Sequence, residues 1–100
     1  MAYGDSLRAL SDPTRRAVFE KLRGGPLAVS RLADGFSVSR PAISQHLAVL
    51  KTAGLVVDIS RGTSRIYMIR NEALRELGDW LDSFWGDALD AYKTALEKEI

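Results

Sequence analysis

The side chains best equipped for chemistry in this chain are hydrogen-bond donors and cations gathered in two short segments, not nucleophiles or acid–base groups. Residues 39–52 read Ser-Arg-Pro-Ala-Ile-Ser-Gln-His-Leu-Ala-Val-Leu-Lys-Thr, and residues 60–65 read Ser-Arg-Gly-Thr-Ser-Arg. Arg40 can fork two N–H groups onto guanine or onto a phosphate, Gln45 can bracket adenine, and Ser39 and Ser44 add short hydroxyls. Lys51 offers a cation on the same segment, and Arg61, Thr63 and Arg65 can follow a phosphate backbone or enter an adjoining minor groove. His46 has two readings, a donor to a phosphate or a partly buried ring with a structural hydrogen bond. Catalysis is a poor fit. The chain has no cysteine and one histidine, and the spacing around His46 provides neither a nucleophile nor an orienting carboxylate. Thiolate chemistry is excluded, and neither an enzyme nor a cofactor is expected.

Those side chains need a frame that turns them outward, and the local sequence supplies one. Ile43, Leu47 and Leu50 recur at i, i+4 and i+7, so they form the inward stripe of a helix from Arg40 to about Ala53. Arg40, Ser44, Ala48 and Lys51 fall on the opposite face, flanked by Pro41, Gln45 and Thr52. Ser39 is a natural N-cap and Gly54 closes the helix. Upstream, Leu7 and Leu10 mark a short leading helix. Asp12 caps a second helix with Pro13 in its first position, and Gly24-Gly25-Pro26 stops it. A short helix follows from Val29 to Asp34, with Val29, Leu32 and Ala33 inward, and then a turn at Ser37-Val38-Ser39. Downstream, residues 55–59 and 65–69 are β-rich runs around Ser60–Ser64, a hairpin with Gly62 at its tip. Asn71 is expected to cap a long last helix, with Glu72 and Glu76 near its positive end. The expected fold class is mainly α with a small β-hairpin, in the element order of a winged helix–turn–helix. Residues 1–100 form a single domain, within which residues 72–99 are the long terminal helix.

Composition agrees with a small globular DNA-binding module. The chain has 100 residues, 46% of them apolar and 27% charged, with a net charge of +1. That balance hides an asymmetry: residues 1–70 carry eleven Lys/Arg against five Asp/Glu, whereas residues 71–100 carry three against eight. A basic body with an acidic end still attracts a polyanion, because the field depends on where the charges sit. Apolar runs are too short for a membrane-spanning helix, and the start MAYGDSLRAL has no signal-peptide core, so a cytoplasmic protein is expected.

The strings Leu10-Ser-Asp-Pro-Thr-Arg-Arg16, Ser39-Arg-Pro-Ala-Ile-Ser-Gln-His-Leu-Ala-Val-Leu-Lys51 and Ala53-Gly-Leu-Val56 resemble the ArsR family of bacterial repressors. The resemblance covers nearly the whole chain. It implies a homodimeric, cytoplasmic transcriptional repressor on an inverted-repeat operator, with Ser39 to Lys51 as recognition helix and Ser60 to Ser64 as wing tip. Metal-sensing relatives carry Glu-Leu-Cys-Val-Cys-Asp-Leu where this chain reads Pro26-Leu-Ala-Val-Ser-Arg-Leu32, so Ala28 and Ser30 replace both thiolates that a soft ion selects. A second sensing site in relatives uses Asp and His on the last helix, which here has no histidine. Its carboxylates Asp79, Asp82, Asp87 and Asp90 read as a solvated face. No metal is expected.

The last helix carries a wide apolar band. Leu74, Leu77, Leu81, Phe84, Ala88, Tyr92 and Ala95 recur at spacings of three and four, with Trp80, Trp85, Leu89 and Leu96 beside them. One small body cannot cover such a band. Part of it is expected to pack on the domain and the rest, centred on Leu77, Trp80, Leu81, Phe84, Trp85, Ala88 and Tyr92, on a second copy. The segment Trp80-Leu-Asp-Ser-Phe-Trp85 resembles the family's branch without inducer sites, grouped with autorepressors. Two other readings stay open: a regulator with a small-molecule site at the dimer interface, and a winged-helix module that binds protein instead of DNA.

Overall fold

The computed structural model describes residues 2–99. Among the described residues, five α-helices and three strands follow one another, with one 3-10 turn (Leu22–Gly24) after α2: α1 (Ala2–Ala9), α2 (Pro13–Lys21), β1 (Leu27–Ala28), α3 (Val29–Ala33), α4 (Arg40–Thr52), β2 (Val56–Arg61), β3 (Ser64–Ile69) and α5 (Asn71–Lys98). The capping signals account for the helix ends. Asp12 sits outside α2 in extended conformation, its carboxylate accepting from Arg15 N at 2.9 Å, and Pro13 fills the first turn. Ser39 Oγ accepts from Ala42 N at 3.3 Å at the start of α4. At the far end of α4, Gly54 adopts φ +80, its N–H reaches Lys51 O, and Leu55 N reaches Leu50 O, each at 3.0 Å. That pair of bonds is a Schellman closure, which needs a left-handed residue and turns the chain straight into β2.

The sheet is antiparallel with order β1-β3-β2. Its register runs from Val56 opposite Ile69 to Arg61 opposite Ser64. The hairpin loop is therefore only Gly62-Thr63, shorter than the Ser60–Ser64 turn expected from sequence. Gly62 at φ +62 lets two residues reverse the chain, so Ser60 and Arg61 stay paired with Arg65 and Ser64. The third strand, β1, was not expected. Leu27 and Ala28 pair with Tyr67 and Ile66, covering the other edge of β3.

The core gathers under α4. Val18, Leu32, Ile43, Leu47, Leu50 and Leu55 are wholly shielded, with Phe19, Leu22, Val56, Tyr67 and Ala73 packed around them. Of the residues expected inward on α3, Leu32 is buried, while Val29 and Ala33 are half-buried against the core. On α1 the inward positions are Ser6 and Ala9, whereas Leu7 is exposed. Small side chains suit the packing of α1 against α4 and α5.

Asn71, expected to cap α5, is instead its first residue. Arg70 holds the cap position without a side-chain cap bond, and its N–H donates to Leu55 O at 2.9 Å. The 28 residues of α5 span about 42 Å. Ala73 is buried and Leu77 and Trp80 are half-buried, but every described residue from Leu81 onward is exposed. Replacing Leu50 with Ala should cost about 2–5 kcal/mol of unfolding free energy, and replacing Leu7 with Ala under about 0.5 kcal/mol, both read by urea denaturation. Equal costs would mean that α1 turns its other face inward.

Candidate nucleic-acid interface

The outer face of α4 is determined by its inner one. With Ile43, Leu47 and Leu50 sealed, the helix presents Arg40, Pro41, Ser44, Gln45, Ala48 and Lys51 to solvent. Its entry is braced from α2. The Lys21 ammonium donates to the carbonyls of Arg31 at 3.0 Å, Leu32 at 3.4 Å and Asp34, and lies 5.3 Å from the centre of the Phe36 ring. One cation thus satisfies carbonyls at the end of α3, where a positive charge also meets the negative pole of the helix. The turn between α3 and α4 is anchored at that point.

The hairpin returns to the same side. Arg40 and Ser44 of α4, with Thr63 and Arg65 of the hairpin, line a cleft of about 310 Å³ together with Ser30 and Tyr67. The cleft wall is mostly polar and carries two guanidinium groups. Arg40 and Arg61 are exposed and make no ion pair among the described residues, so both are available to an anion. Ser39 retains its hydroxyl proton, since its oxygen acts as acceptor in the cap.

Lys51 and Arg65 are placed differently. Lys51 Nζ lies 2.8 Å from Asp58 Oδ1 and Arg65 Nε lies 3.2 Å from Asp58 Oδ2, while the Asp58 side chain is only 5% exposed. Arg65 Nη1 also donates to Ser60 Oγ at 3.2 Å. The hydrogen bond from Lys51 is the main cause holding the Asp58 carboxyl below its ordinary value, against the opposing push of burial, with Lys51 and Arg65 charges adding to it. His46 is half-buried beside α2, and Arg15 Nε donates to its Nδ1 at 3.4 Å. Arg15 Nη1 continues to Ala9 O at 3.2 Å, so the same guanidinium reaches both the ring and the end of α1. Asp12 nearby is also held below its ordinary value, first by the backbone hydrogen bond from Arg15.

Three residues that matter here were passed over in the sequence: Lys21, Arg15 and Asp58. Only Asp58 left a signal, a carboxylate at an inward register position of β2, two residues after the buried Val56. On α5, Trp80 stacks on Tyr3 with centroids 5.4 Å apart and meets Phe84 edge-on at 4.9 Å. Leu81, Phe84, Trp85, Ala88 and Tyr92 face solvent, with Trp85 67% exposed. Among the described residues no three His, Cys, Asp or Glu side chains gather as metal ligands, and no helix is long and apolar enough to cross a membrane.

Comparison with known proteins places this geometry. A family model described as a helix-turn-helix domain matches residues 10–59. The HTH-type transcriptional regulator Rv2034 of Mycobacterium tuberculosis is 51% identical over 92% of this chain and 86% of its own length. The transcriptional repressor SdpR of Bacillus subtilis is 35% identical over 77% of this chain and 86% of its own. The crystal structure of an ArsR family transcriptional regulator superposes with TM-score 0.80 at 31% identity, covering 86% of this chain and 94% of that one.

The depressed Asp58 carboxyl makes acid a probe of this site. Its contribution to stability is full above the ordinary value of 3.8 and is lost as pH falls through the lower folded value. The melting temperature should therefore fall as the pH drops below about 4, and Asp58→Asn should flatten that part of the profile. Superimposable profiles would mean that Asp58 is not ionised and paired in solution.

Proposed function

The chain belongs to the ArsR family of winged helix–turn–helix transcriptional regulators, DNA-binding repressors and not enzymes, and from that premise we propose a homodimeric, metal-independent repressor of an inverted-repeat operator. The observation that carries the DNA reading is the convergence of Arg40, Ser44, Thr63 and Arg65 on one polar cleft, opposite a helix face that is fully buried. A B-DNA major groove admits one helix, and α4 offers it Arg40, Pro41, Ser44 and Gln45 near an N-terminus whose backbone N–H groups suit a phosphate. Ser39 completes that end. Arg61, Thr63 and Arg65 then follow the adjoining backbone from the hairpin. His46 supports α4 from behind, and Lys51 stands at the far end of the helix.

Residues 1–100 act as one winged-helix domain, with residues 72–99 as the dimerisation helix. The support is the exposure of Leu81, Phe84, Trp85 and Tyr92, which the other described residues leave facing solvent. Two copies double the phosphate contacts and turn a short readout into a palindromic one. Metal independence is supported by Ala28 and Ser30 in place of thiolates and by an α5 without histidine. We place the protein in the cytoplasm, acting on its own promoter or a neighbouring operon, with repression by occupancy.

Fluorescence anisotropy on the protein's own upstream DNA and on a shuffled duplex, across salt concentrations, tests this. Arg40→Ala or Gln45→Ala should cost roughly 1–3 kcal/mol on the specific duplex, whereas Arg61→Ala should weaken both duplexes evenly and reduce the salt slope by about one. Unchanged specific affinity in the α4 variants would remove α4 from the groove. Separately, Leu81→Asp or Phe84→Asp should give monomers in analytical ultracentrifugation. Persistent dimers would place the interface off α5.

A further inference from the structure

We propose that Asp58 is a positioning residue for DNA recognition: it clamps the hairpin to the C-terminal turn of α4 through Lys51 and Arg65, and so sets the distance between the two DNA-facing elements. The inference rests on the DNA reading above and reassigns Lys51 from a phosphate contact to one arm of the clamp. Its basis is geometric. Asp58 lies on β2, with Lys51 arriving from α4 at 2.8 Å and Arg65 from β3 at 3.2 Å, one cation on each carboxylate oxygen. The three groups come from three elements, and the carboxylate is almost completely shielded beneath two half-exposed cations, so each of its oxygens is held by a charge-assisted contact.

The register explains why this one residue controls the wing. Asp58 faces Tyr67 across the β2–β3 ladder and Ser60 faces Arg65, so Arg65 is the diagonal neighbour of Asp58 on the same sheet face. Arg65 is also a wall of the cleft that Arg40 and Ser44 share. A hairpin that tilts away from α4 therefore carries Arg65 and Thr63 out of line with Arg40. Ser60 Oγ, accepting from Arg65 Nη1, holds the same guanidinium from the strand side. Beyond β2 and β3 the loop is just Gly62-Thr63, so the position of Thr63 follows that of the strand ends that carry it.

Charge gives the proposal a signature that a simple stability role lacks. Asp58 is the single negative charge in the clamp. Asp58→Asn leaves Lys51 and Arg65 unbalanced and makes the DNA face more positive, so affinity for arbitrary DNA should hold or rise. Affinity for the cognate sequence should fall, because the wing and α4 no longer keep a common register on the duplex. A loss of folding would lower both.

The test uses the full chain, a duplex selected from random sequence by the wild-type protein, and a shuffled duplex of equal composition. Asp58→Asn should weaken the selected duplex about tenfold and leave the shuffled one equal or tighter, with thermal melts confirming a folded protein at assay temperature. Lys51→Gln should also lower the ratio of selected to shuffled affinity. The double variant should bind the selected duplex within about twofold of the weaker single variant, since one clamp is lost only once. Lys51→Gln sits on a half-exposed side chain and carries the test if Asp58→Asn does not stay folded. Equal losses on both duplexes for Lys51→Gln, or multiplied losses in the double variant, would make Lys51 a direct phosphate contact and overturn the proposal. An unchanged ratio in Asp58→Asn would overturn it as well. A wild-type protein that selects no sequence would instead sink the DNA reading, and this inference with it.

Discussion

Ile43, Leu47 and Leu50 occupy one stripe of α4 and are fully withdrawn from solvent. Each such burial is worth roughly 1.5–3 kcal/mol, so rolling the helix to present another face would forfeit a large part of a small domain's stability. Successive residues turn by about 100° on a helix, and that fixes where Arg40, Ser44 and Gln45 point once the stripe is seated. The apolar side chains thus aim the polar ones. Val18 on α2, Leu32 on α3 and Leu55 after the helix are buried in the same cluster, which means every element that approaches α4 does so to cover this stripe.

Burial sets the roll of α4, while its position along and across its neighbours depends on polar joints at the element ends. Lys21 holds the end of α3 from α2, Arg15 ties the carbonyl of Ala9 to His46, and Asp58 ties Lys51 to Arg65. Each joint uses a charged group to reach groups on other elements, which an apolar contact cannot do with comparable direction. These joints also commit charges of the amino-terminal seventy residues to partners inside the fold, Asp58 being the shielded member. Arg40 on α4 and Arg61 at the end of β2 are exposed and make no ion pair among the described residues.

The sequence made the local features legible and hid those made through space. The helix from Arg40 could be read because its stripe, its Ser39 cap and its Gly54 stop all lie within sixteen residues. Three misreadings had tertiary causes. Two residues of β1 carry no alternation to detect, and they become a strand only because β3 offers an open edge. Asn71 has the chemistry of a cap, yet the bond from Arg70 N to Leu55 O pins the preceding residue and starts the helix at Asn71. The turn expected over Ser60–Ser64 shortens to Gly62-Thr63, because Ser60 and Arg61 pair across the ladder with Arg65 and Ser64. The candidate site divides the same way. Arg40, Ser44, Gln45 and Arg61 were legible from face and turn position, whereas the commitment of Lys51 and Arg65 to Asp58 joins residues 51, 58 and 65 across a fold.

On the dimeric reading, the same joints connect the two ends of the molecule. The band from Leu81 to Tyr92 gains cover only from outside the copy that carries it, so α5 is where a second copy would be held. The start of α5 packs on α1, where Trp80 lies against Tyr3. From α1 the path continues through Ala9 O to Arg15, and from Arg15 Nε to His46 on α4 itself. Two α4 helices reading half-sites about one turn of DNA apart need a fixed separation, of the order of 34 Å. In this fold α1, α4 and the start of α5 share one apolar core through Ala9, Leu47, Leu50 and Ala73, and Arg15 adds a polar tie from α2 to α4 and to the end of α1. On that reading, pairing of α5 and placement of α4 become one mechanical problem, because both helices are seated on the same core.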